Sequence, residues 1–340
     1  MTSSFIDAGG LLILPRLQVQ NANAISGPLT WGFPSPTAFT GFVHALERRL
    51  SQGSPYDFGE VREGFGGVGI ICHGFQPQVA QPAGRRTQVF CLTRNPVYAG
   101  WKKFEDKPAA IVEEGHAHLE ITLIVIVKDG FGEYDGEELA RTAHHIAQGM
   151  RLAGGSILPA RSGEHYTARW EVLPDEVDGQ NELFAKLRRR LLPGYALVQR
   201  EDLLAERLTE IRANQPDATA LDALLDLSRL NIEPVGPDPA KPEEILWQVR
   251  TRSGWLVPLP IGYAGISPLY QPGEVENTRD DSTPFRFVES LYSLGQWIGP
   301  HHLKHLQQLF WHTNTDIKNG LYRCVNHYSE VTLSPHADIA

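Results

Sequence analysis

The residues with the clearest chemical potential are arginines in an acid-free segment, QPAGRRTQVFCLTRNP. Arg85, Arg86 and Arg94 lie there together with Phe90 and several amide and hydroxyl side chains. A guanidinium group pairs bidentately with phosphate or stacks on a base, and a phenylalanine ring offers another stacking surface. The segment therefore predicts contact with a nucleic acid, and a solvated hairpin is the alternative.

A second candidate phosphate site is the turn in MRLAGGSILP. Its residues Gly154, Gly155 and Ser156 carry little or no side chain, so their backbone amides could approach a phosphate closely. Arg151 and Arg161 flank this turn and would add positive charge. The alternative is that the glycines only cap the end of the preceding helix.

The sequence contains no good match to the motifs typical of catalysis or metal binding. GFGGVG at 64–69 fits GxGxxG, but a strand follows where a dinucleotide site needs a helix. The sequence has neither a GxSxG nor a GxxxxGK[ST] motif. His301 and His305 share a helical face without an obvious third zinc ligand nearby. We therefore expect no catalytic residues, no cofactor and no metal ion.

The distribution of charge matters more than its sum. The net charge is −9, from 31 basic and 40 acidic residues, which by itself disfavours a nucleic-acid partner. Residues 81–104 nevertheless contain five basic residues and no acidic one, and KLRRR at 186–190 adds four more. Acidic residues concentrate in 129–138 and 171–182. This segregation predicts one basic face on an acidic protein, although KLRRR fits a solvated helix face equally well.

Composition indicates a soluble globular protein of one or two domains. The chain has 340 residues, of which 41% are hydrophobic, and it lacks the run of about 18 apolar residues that marks a membrane-spanning helix. Cys72, Cys91 and Cys324 are widely spaced and form no CxxC pair, which favours a reducing compartment. The start, MTSSFIDAGG, has no basic residue, so we expect no secretory signal and a cytoplasmic location.

The first 160 residues predict the order strand–helix–strand–insertion–strand–helix. Strands are expected in LLILPRLQVQ, GGVGIICHGF and HAHLEITLIVIV, with an edge position or a bulge at Pro15. The first helix begins with Ser35 as its N-cap and Pro36 in its first turn, and the second, GEELARTAHHIAQGMRL, is expected to end at Gly154 and Gly155. This order predicts an α+β fold, RRM-like or ferredoxin-like, with helices on one face of an antiparallel sheet.

The second half of the chain is less regular. ARWEVL and GYALVQR predict short strands on either side of a basic helix, ELFAKLRRRLL, and a helical pair follows. Residues 232–244 are rich in proline, glycine and acidic residues and predict a flexible linker. The remainder is predicted to combine short strands, WQVR and WLVPLP, with helices near 285–297 and 300–312.

Several segments together resemble the Csy-type subunit that lies at the 5′ end of the CRISPR RNA in type I-F CRISPR–Cas surveillance complexes. They follow in order over nearly the whole chain: LPRLQVQNANAISGPLTWGFPSPTAFTGFVHALERR, QPAGRRTQVFCLTRNP, AAIVEEGHAHLEITL, MRLAGGSILP, RRLLPGYALVQRE, LDALLDL, GWLVPLPIGY, SPLYQPGEV and GLYR. Residues 97–107 and 235–246 depart from the family pattern. This subunit belongs to the wider repeat-associated (RAMP) superfamily.

The resemblance implies a specific organisation and role. Residues 1–231 would form an RRM-like palm with an inserted β-hairpin thumb at 76–112, residues 232–244 the linker, and residues 245–340 a C-terminal α+β segment packed on the palm. Such a subunit is non-catalytic, holds the 5′ handle of the guide RNA, and contacts the large subunit and the first backbone subunit for antiviral DNA targeting. Contact with target DNA near the protospacer-adjacent motif is a further possibility, and no membrane is involved.

The loop before the first helix gains importance from this resemblance. In RRM-like folds, the end of the first strand and the following loop border the ligand face. Asn21, Asn23 and Trp31 are therefore expected to contact RNA, with a plain packing loop as the alternative. Two other functions stay open: an endoribonuclease of the same superfamily with His44 or His73 as general base, and a protein scaffold without RNA contact.

Overall fold

The architecture combines a large antiparallel sheet with helices on both of its faces. The structure, a computed structural model, describes residues 6–52, 64–85, 87–91, 114–252 and 254–333. Its helices are α1 (Pro36–Ser51), α2 (Glu133–Gln148), α3 (Val177–Arg190), α4 (Glu201–Arg212), α5 (Ala220–Ser228) and α6 (Tyr328–Leu333). None of these helices is long and apolar enough to cross a membrane.

The strands of the described residues fall into a long N-terminal group and a C-terminal group. The first group comprises β1 (Gly10–Asn23), β2 (Ile25–Gly27), β3 (Thr30–Trp31), β4 (Phe65–Pro77), β5 (Val79–Ala80), β6 (Val89–Phe90), β7 (His116–Val127), β8 (Arg151–Leu152), β9 (Gly155–Ile157), β10 (Arg169–Val172) and β11 (Tyr195–Gln199). The second comprises β12 (Ile232–Asp238), β13 (Lys241–Val249), β14 (Trp255–Gly265), β15 (Val288–Ile298), β16 (Phe310–Asp316) and β17 (Leu321–Asn326).

Eleven of these strands form a single sheet. Its order is β11-β15-β14-β17-β16-β4-β7-β1-β9-β8, and β10 pairs with the start of β1. Because β4 pairs with both β16 and β11, the strands β4, β16, β17, β14, β15 and β11 close into a ring. The α+β prediction agrees with this architecture, and the C-terminal strands continue the N-terminal sheet. The RRM-like palm and its boundaries stay a prediction.

Helix α1 begins as the sequence predicts. The Ser35 hydroxyl accepts a hydrogen bond from the Thr37 backbone N–H at 3.1 Å, and Pro36 occupies the first turn. The same hydroxyl donates to the Pro260 carbonyl at 2.6 Å, which attaches the helix start to β14. The predicted apolar stripe is buried in full: Phe39, Phe42, Val43, Leu46 and Leu50.

The two faces of the sheet have separate apolar clusters. The cluster under α1 and α2 includes Leu17 of β1 together with Ile121 and Leu123 of β7, all of them buried. Under α3 lies a second cluster that includes Leu11 and Ile13 from the first half of β1. The second half of β1 contributes no residue to this second cluster, so part of that sheet face lies beyond α3.

The bulge predicted at Pro15 is confirmed. The pairing of β1 with β7 shifts register between Leu14 and Leu17, and Arg16 adopts a φ of 47°. A bulge adds one residue to a strand and thereby changes which side chains face each side. Beyond it, Leu17 points into the cluster under α1, and the side chain of Gln18 lies on the opposite face.

Helix α2 ends earlier than the sequence predicts. It stops at Gln148 with Gly149 as its C-cap, whereas Gly154 and Gly155 belong to the β8–β9 hairpin. Ala153 and Gly154 have φ angles of 48° and 77°, as a two-residue hairpin turn of type I′ requires. The cap prediction was therefore wrong, because an earlier glycine ends the helix and the later pair serves the turn.

The segment 232–244 is not an irregular linker. It forms β12 and the first part of β13, which pair with each other in a separate two-stranded sheet. Register shifts follow Pro234 and Pro237. Proline is tolerated at bulges and on strands with a free edge, because its missing N–H interrupts no inter-strand hydrogen bond there. The proline content of this segment therefore did not prevent a hairpin.

The helices predicted near 285–297 and 300–312 are also wrong. Residues 288–298 form β15, and two 3-10 turns at Pro300–His302 and Leu306–Leu309 precede β16. Gly295 disfavours a helix, and its missing side chain lets Leu259 of β14 pack directly against its backbone. Pairing with distant strands, rather than local periodicity, decides the structure of this region.

Candidate nucleic-acid interface

The part of the sheet beyond α3 presents a row of polar side chains that crosses five strands. Register pairs Arg151 of β8 with Ser156 of β9, and Ser156 with Gln20 of β1. Gln20 of β1 and His118 of β7 lie at a register shift, between the pairs Val19–Leu119 and Ala22–Ala117. His118 pairs with Gln76 of β4. We call Arg151, Ser156, Gln20, His118 and Gln76 the polar row. It combines a guanidinium, a hydroxyl, an imidazole and two amides, which are groups that bind phosphates and base edges.

A chain of hydrogen bonds joins the same strands a few residues away from this row. The Arg16 backbone N–H donates to the Thr122 hydroxyl at 3.0 Å, and that hydroxyl lies 2.8 Å from His73 Nε2. His73 Nδ1 lies 2.6 Å from the Pro193 carbonyl, which can only accept. Burial lowers the pKa of His73, so the ring is neutral, donates from Nδ1 and accepts at Nε2. These bonds join the β1 bulge, β7, β4 and the loop before β11.

Among the described residues, Arg151 and Arg161 contribute positive charge to this face. Arg16 is paired with Glu120 at 2.8 Å, so its charge is largely neutralised. Arg161 lies over the Tyr166 ring at 5.7 Å, and its Nε donates to Gln18 at 3.0 Å when the Gln18 amide oxygen faces it. Within the described residues, neither Arg151 nor Arg161 forms an ion pair with a carboxylate. Both can therefore pair with an added anion.

The β8–β9 hairpin that carries Arg151 packs tightly against β1. The Asn23 backbone N–H donates to the Ala153 carbonyl at 2.8 Å. A Cβ at Gly155 would lie only 2.7 Å from the Ala22 backbone nitrogen, so a larger residue would push β9 away from β1. Gly154 has open space around it, and its φ of 77° is the feature that favours glycine there. The predicted Gly154–Gly155–Ser156 turn is thus a rigid support for Arg151 and Ser156.

The predicted asparagines lie at the end of the same sheet and shape its loops. Asn21 has a φ of 56°, its backbone N–H donates to His118 Nδ1 at 3.2 Å, and its side-chain oxygen accepts from Gln78 at 2.6 Å. The Asn23 side chain makes two 3.0 Å hydrogen bonds with the backbone of Ile25. Both residues adjoin the polar row, but their side chains already have protein partners.

The predicted aromatic residues also meet at this end. The rings of Trp31 on β3 and Phe90 on β6 are 5.6 Å apart at an angle of 57°. Trp31 is exposed, and Phe90 is half-buried. Phe90 packs against the cluster under α1 and α2, so the exposed Trp31 ring is the part of this pair that is open for stacking.

The arginines of the insertion are only partly described. β5 and β6 form a short hairpin through Val79 and Phe90, and Arg85 is exposed in the loop that connects them. No described contact joins Arg85 to the polar row. Arg86 and Arg94, like most of the predicted thumb, lie outside the described residues.

Basic residues of the KLRRR run on α3 bind other groups of the protein and not the polar row. Arg188 donates to the Leu303 carbonyl at 2.9 Å, and Arg190 pairs with Glu171 at 3.0 Å. Two of its cations thus stabilise the packing of α3, which favours the structural interpretation of KLRRR for these residues.

The histidines considered as general bases are poorly arranged for that role. His73 Nε2 accepts from Thr122, and His44 is exposed on α1, on the other face of the sheet, 4.0 Å from Glu47. Burial raises the pKa of the Cys72 thiol to about 12, so it is not a nucleophile at neutral pH. In the described part of the chain, no group of three His, Cys, Asp or Glu residues could hold a metal ion.

Sequence reasoning missed most of the polar row. Gln20, Gln76 and His118 were not predicted, although LQVQ and HAHLE alternate between apolar and polar residues. That alternation indicates strands with one polar face. Only the strand register, however, brings the polar faces of β1, β4 and β7 side by side.

Comparison with known proteins agrees with the family resemblance. A family model described as CRISPR-associated protein (Cas_Csy2) matches residues 12–324. CRISPR-associated protein Csy2 of Pseudomonas aeruginosa (strain UCBPP-PA14) is 50% identical over 328 residues, which cover 94% of this chain and 96% of that protein. These matches confirm the predicted relation to the Csy-type subunits of type I-F surveillance complexes. The chain belongs to the Csy2 family of CRISPR-associated proteins.

Proposed function

We propose that this protein is a non-catalytic subunit of a type I-F surveillance complex that holds the 5′ handle of the CRISPR RNA across the polar row. The single observation that best supports this role is the row itself, which extends over five strands beside Arg161. Sheet surfaces with exposed polar groups and flanking aromatic rings suit single-stranded RNA, whose bases are free to stack and form hydrogen bonds. Arg151 and Arg161 would bind phosphates, and the exposed Trp31 ring would stack on a base.

We infer protein contacts for a different surface, the β12–β13 hairpin. Both of its strands are exposed along most of their length, and they carry large apolar side chains, including Ile245, Leu246 and Trp247. Apolar residues grouped in this way favour burial against another protein. In the cytoplasmic complex we expect contacts with the large subunit and the first backbone subunit, and contact with target DNA near the protospacer-adjacent motif is compatible with this arrangement.

The proposal is tested by RNA binding at several salt concentrations. The full-length chain is titrated with a fluorescently labelled RNA of the handle sequence, and the RNA is then analysed for cleavage. We expect tight binding, intact RNA, and a logarithm of affinity that falls by about 0.7 per phosphate neutralised for each unit of log salt. Specific cleavage would support the endoribonuclease instead, and the absence of binding would support a protein scaffold.

A further inference from the structure

One face of the β12–β13 hairpin is built from apolar side chains. Strand register places three apolar pairs opposite one another: Ile232 and Val249, Pro234 and Trp247, and Pro237 and Ile245. Paired residues share a face of an antiparallel hairpin and successive residues alternate between faces, so these six side chains, which we call the hairpin face, lie together. Neither strand contributes to the two apolar clusters that the described residues form, and Ile245 and Trp247 are 58% and 59% exposed.

The opposite face of the hairpin is more polar. Register pairs Glu233 with Gln248 and Gly236 with Leu246 there. The Glu233 carboxylate also forms an ion pair with Arg250 at 3.2 Å, just beyond the end of β13. A two-stranded sheet gains stability when its apolar face is covered, because burial removes those side chains from water. The hairpin is therefore amphipathic, and the hairpin face is the side that a covering layer would stabilise.

Ion pairs fix the base of the hairpin against α4 and α5. Asp226 of α5 is only 8% exposed, and its carboxylate lies 2.7 Å from both Arg207 of α4 and Arg250. The Asn231 side-chain amide donates to the Asp226 backbone carbonyl at 3.1 Å. The Arg250 backbone N–H donates to the Asn231 carbonyl at 2.9 Å. The hairpin face is thus held in one orientation, which lowers the conformational entropy that a partner has to remove on binding.

The charge of the hairpin selects the kind of partner. Residues 232–249 contain four acidic residues and one basic residue, a net charge of −3: Glu233, Asp238, Glu243, Glu244 and Lys241. This charge repels phosphates, so RNA or DNA is a poor occupant of the hairpin face. A second copy of the same hairpin would bring like charges together and is disfavoured for the same reason. A protein surface whose apolar strip is bordered by lysine or arginine side chains complements both the face and its charge.

We propose that the hairpin face docks against another protein subunit of the surveillance complex, onto an apolar strip bordered by basic side chains. This inference rests on the proposed role of the chain as a subunit of that complex. Trp247 pairs with Pro234 at the middle of the face, and tryptophans at the centre of an interface often carry much of the binding energy. Trp247 is therefore the expected anchor, and Glu243 and Glu244 are expected to contact the basic border.

The test uses the complex assembled from the full-length chain, the other protein subunits and the guide RNA. Native mass spectrometry over a dilution series measures the affinity with which each neighbouring protein subunit is retained. In Ile245→Ser/Trp247→Ser, the affinity for one neighbouring subunit should fall about 10-fold or more, the loss expected when an anchor residue is removed. Circular dichroism spectra equal to that of the wild type would show that the variant is folded.

A matched control removes the same two residue types from another place. Trp255 and Ile266 are 60% and 61% exposed and lie outside the hairpin, so Trp255→Ser/Ile266→Ser removes side chains of equal size and similar exposure. This control should retain the neighbouring subunit as the wild type does. Equal losses of that subunit in both double variants would contradict a specific role of the hairpin face.

A charge-reversed variant tests the chemistry of the partner. Glu243→Lys/Glu244→Lys keeps the hairpin face but places two positive charges beside the basic border, so it should lose the same subunit as Ile245→Ser/Trp247→Ser. Assembly equal to that of the wild type would show that the border is not basic.

The outcomes separate this inference from the proposed function. If Ile245→Ser/Trp247→Ser retains every subunit as the wild type does, the hairpin face is not a docking surface, although handle-RNA binding stands. If the substitutions instead abolish a dimer of the isolated chain in analytical ultracentrifugation, or weaken its binding to handle RNA, the occupant is a second copy or RNA and the inference is wrong. If the wild type binds no handle RNA but the double variant still loses a subunit, only the RNA-binding function is wrong.

Discussion

Replacing Arg151 and Arg161 together with alanine is expected to weaken handle-RNA binding by about 100-fold or more. A hydrogen bond to a charged group contributes about 1.5 to 3 kcal/mol, and every 1.4 kcal/mol is a factor of about ten in affinity. Neither guanidinium has a carboxylate partner in the described part of the chain, so no ion pair has to be broken when a phosphate binds. The slope of log affinity against log salt should become about 1.4 units shallower, because two phosphates are no longer neutralised.

A charge-matched control distinguishes local contact from general attraction. Arg48 on α1 and Arg141 on α2 are exposed, and their helices pack on the face of the sheet opposite the polar row. The Arg48→Ala/Arg141→Ala variant loses the same two charges and should bind RNA almost as well as the wild type. Equal losses of affinity in the two double variants would mean that net charge, rather than the polar face, governs binding.

The second large effect concerns stability. Trp311→Ala is expected to lower the free energy of unfolding by about 3 to 5 kcal/mol, the usual cost of truncating a buried tryptophan. Trp311 is fully buried, and its indole N–H donates to the Leu197 carbonyl at 2.8 Å. Its strand, β16, pairs with β4, and Leu197 lies on β11, so the side chain stabilises the ring of strands from inside. Urea unfolding monitored by circular dichroism measures the loss.

The same unfolding experiment tests whether the C-terminal strands form an independent domain. Because the ring joins β4 and β11 to the C-terminal strands, wild type and Trp311→Ala should each unfold in one cooperative transition. Trp247→Ala, on the exposed hairpin, should change stability by no more than about 0.5 kcal/mol. Two separate transitions, of which Trp311→Ala shifts only one, would instead support an independent C-terminal domain.

Local chemistry made some elements of the fold predictable. Ser35 and Pro36 determine where α1 begins, and the apolar stripe that follows predicts its buried face. The segment HAHLEITLIVIV coincides with β7, since its β-branched residues favour a buried strand. In these elements the signal lies within a dozen neighbouring residues.

Long-range pairing made other elements unpredictable. β15 was predicted as a helix because its partners, β11 and β14, are recognisable only once the ring is assembled. The same applies to the candidate sites. Gln20 and Gln76 become neighbours of His118 only when β1, β7 and β4 pair with one another. No spacing rule in the sequence connects such positions.

The most direct test of the central claim is crosslinking within the assembled surveillance complex. A guide RNA with photoreactive nucleotides in its 5′ handle is irradiated in the complex, and the crosslinked peptides are identified by mass spectrometry. The polar row predicts crosslinks within 16–23, 74–78, 116–122 and 151–161. Crosslinks confined to other parts of this chain, or no crosslink to it at all, would contradict the claim that the handle lies across this face of the sheet.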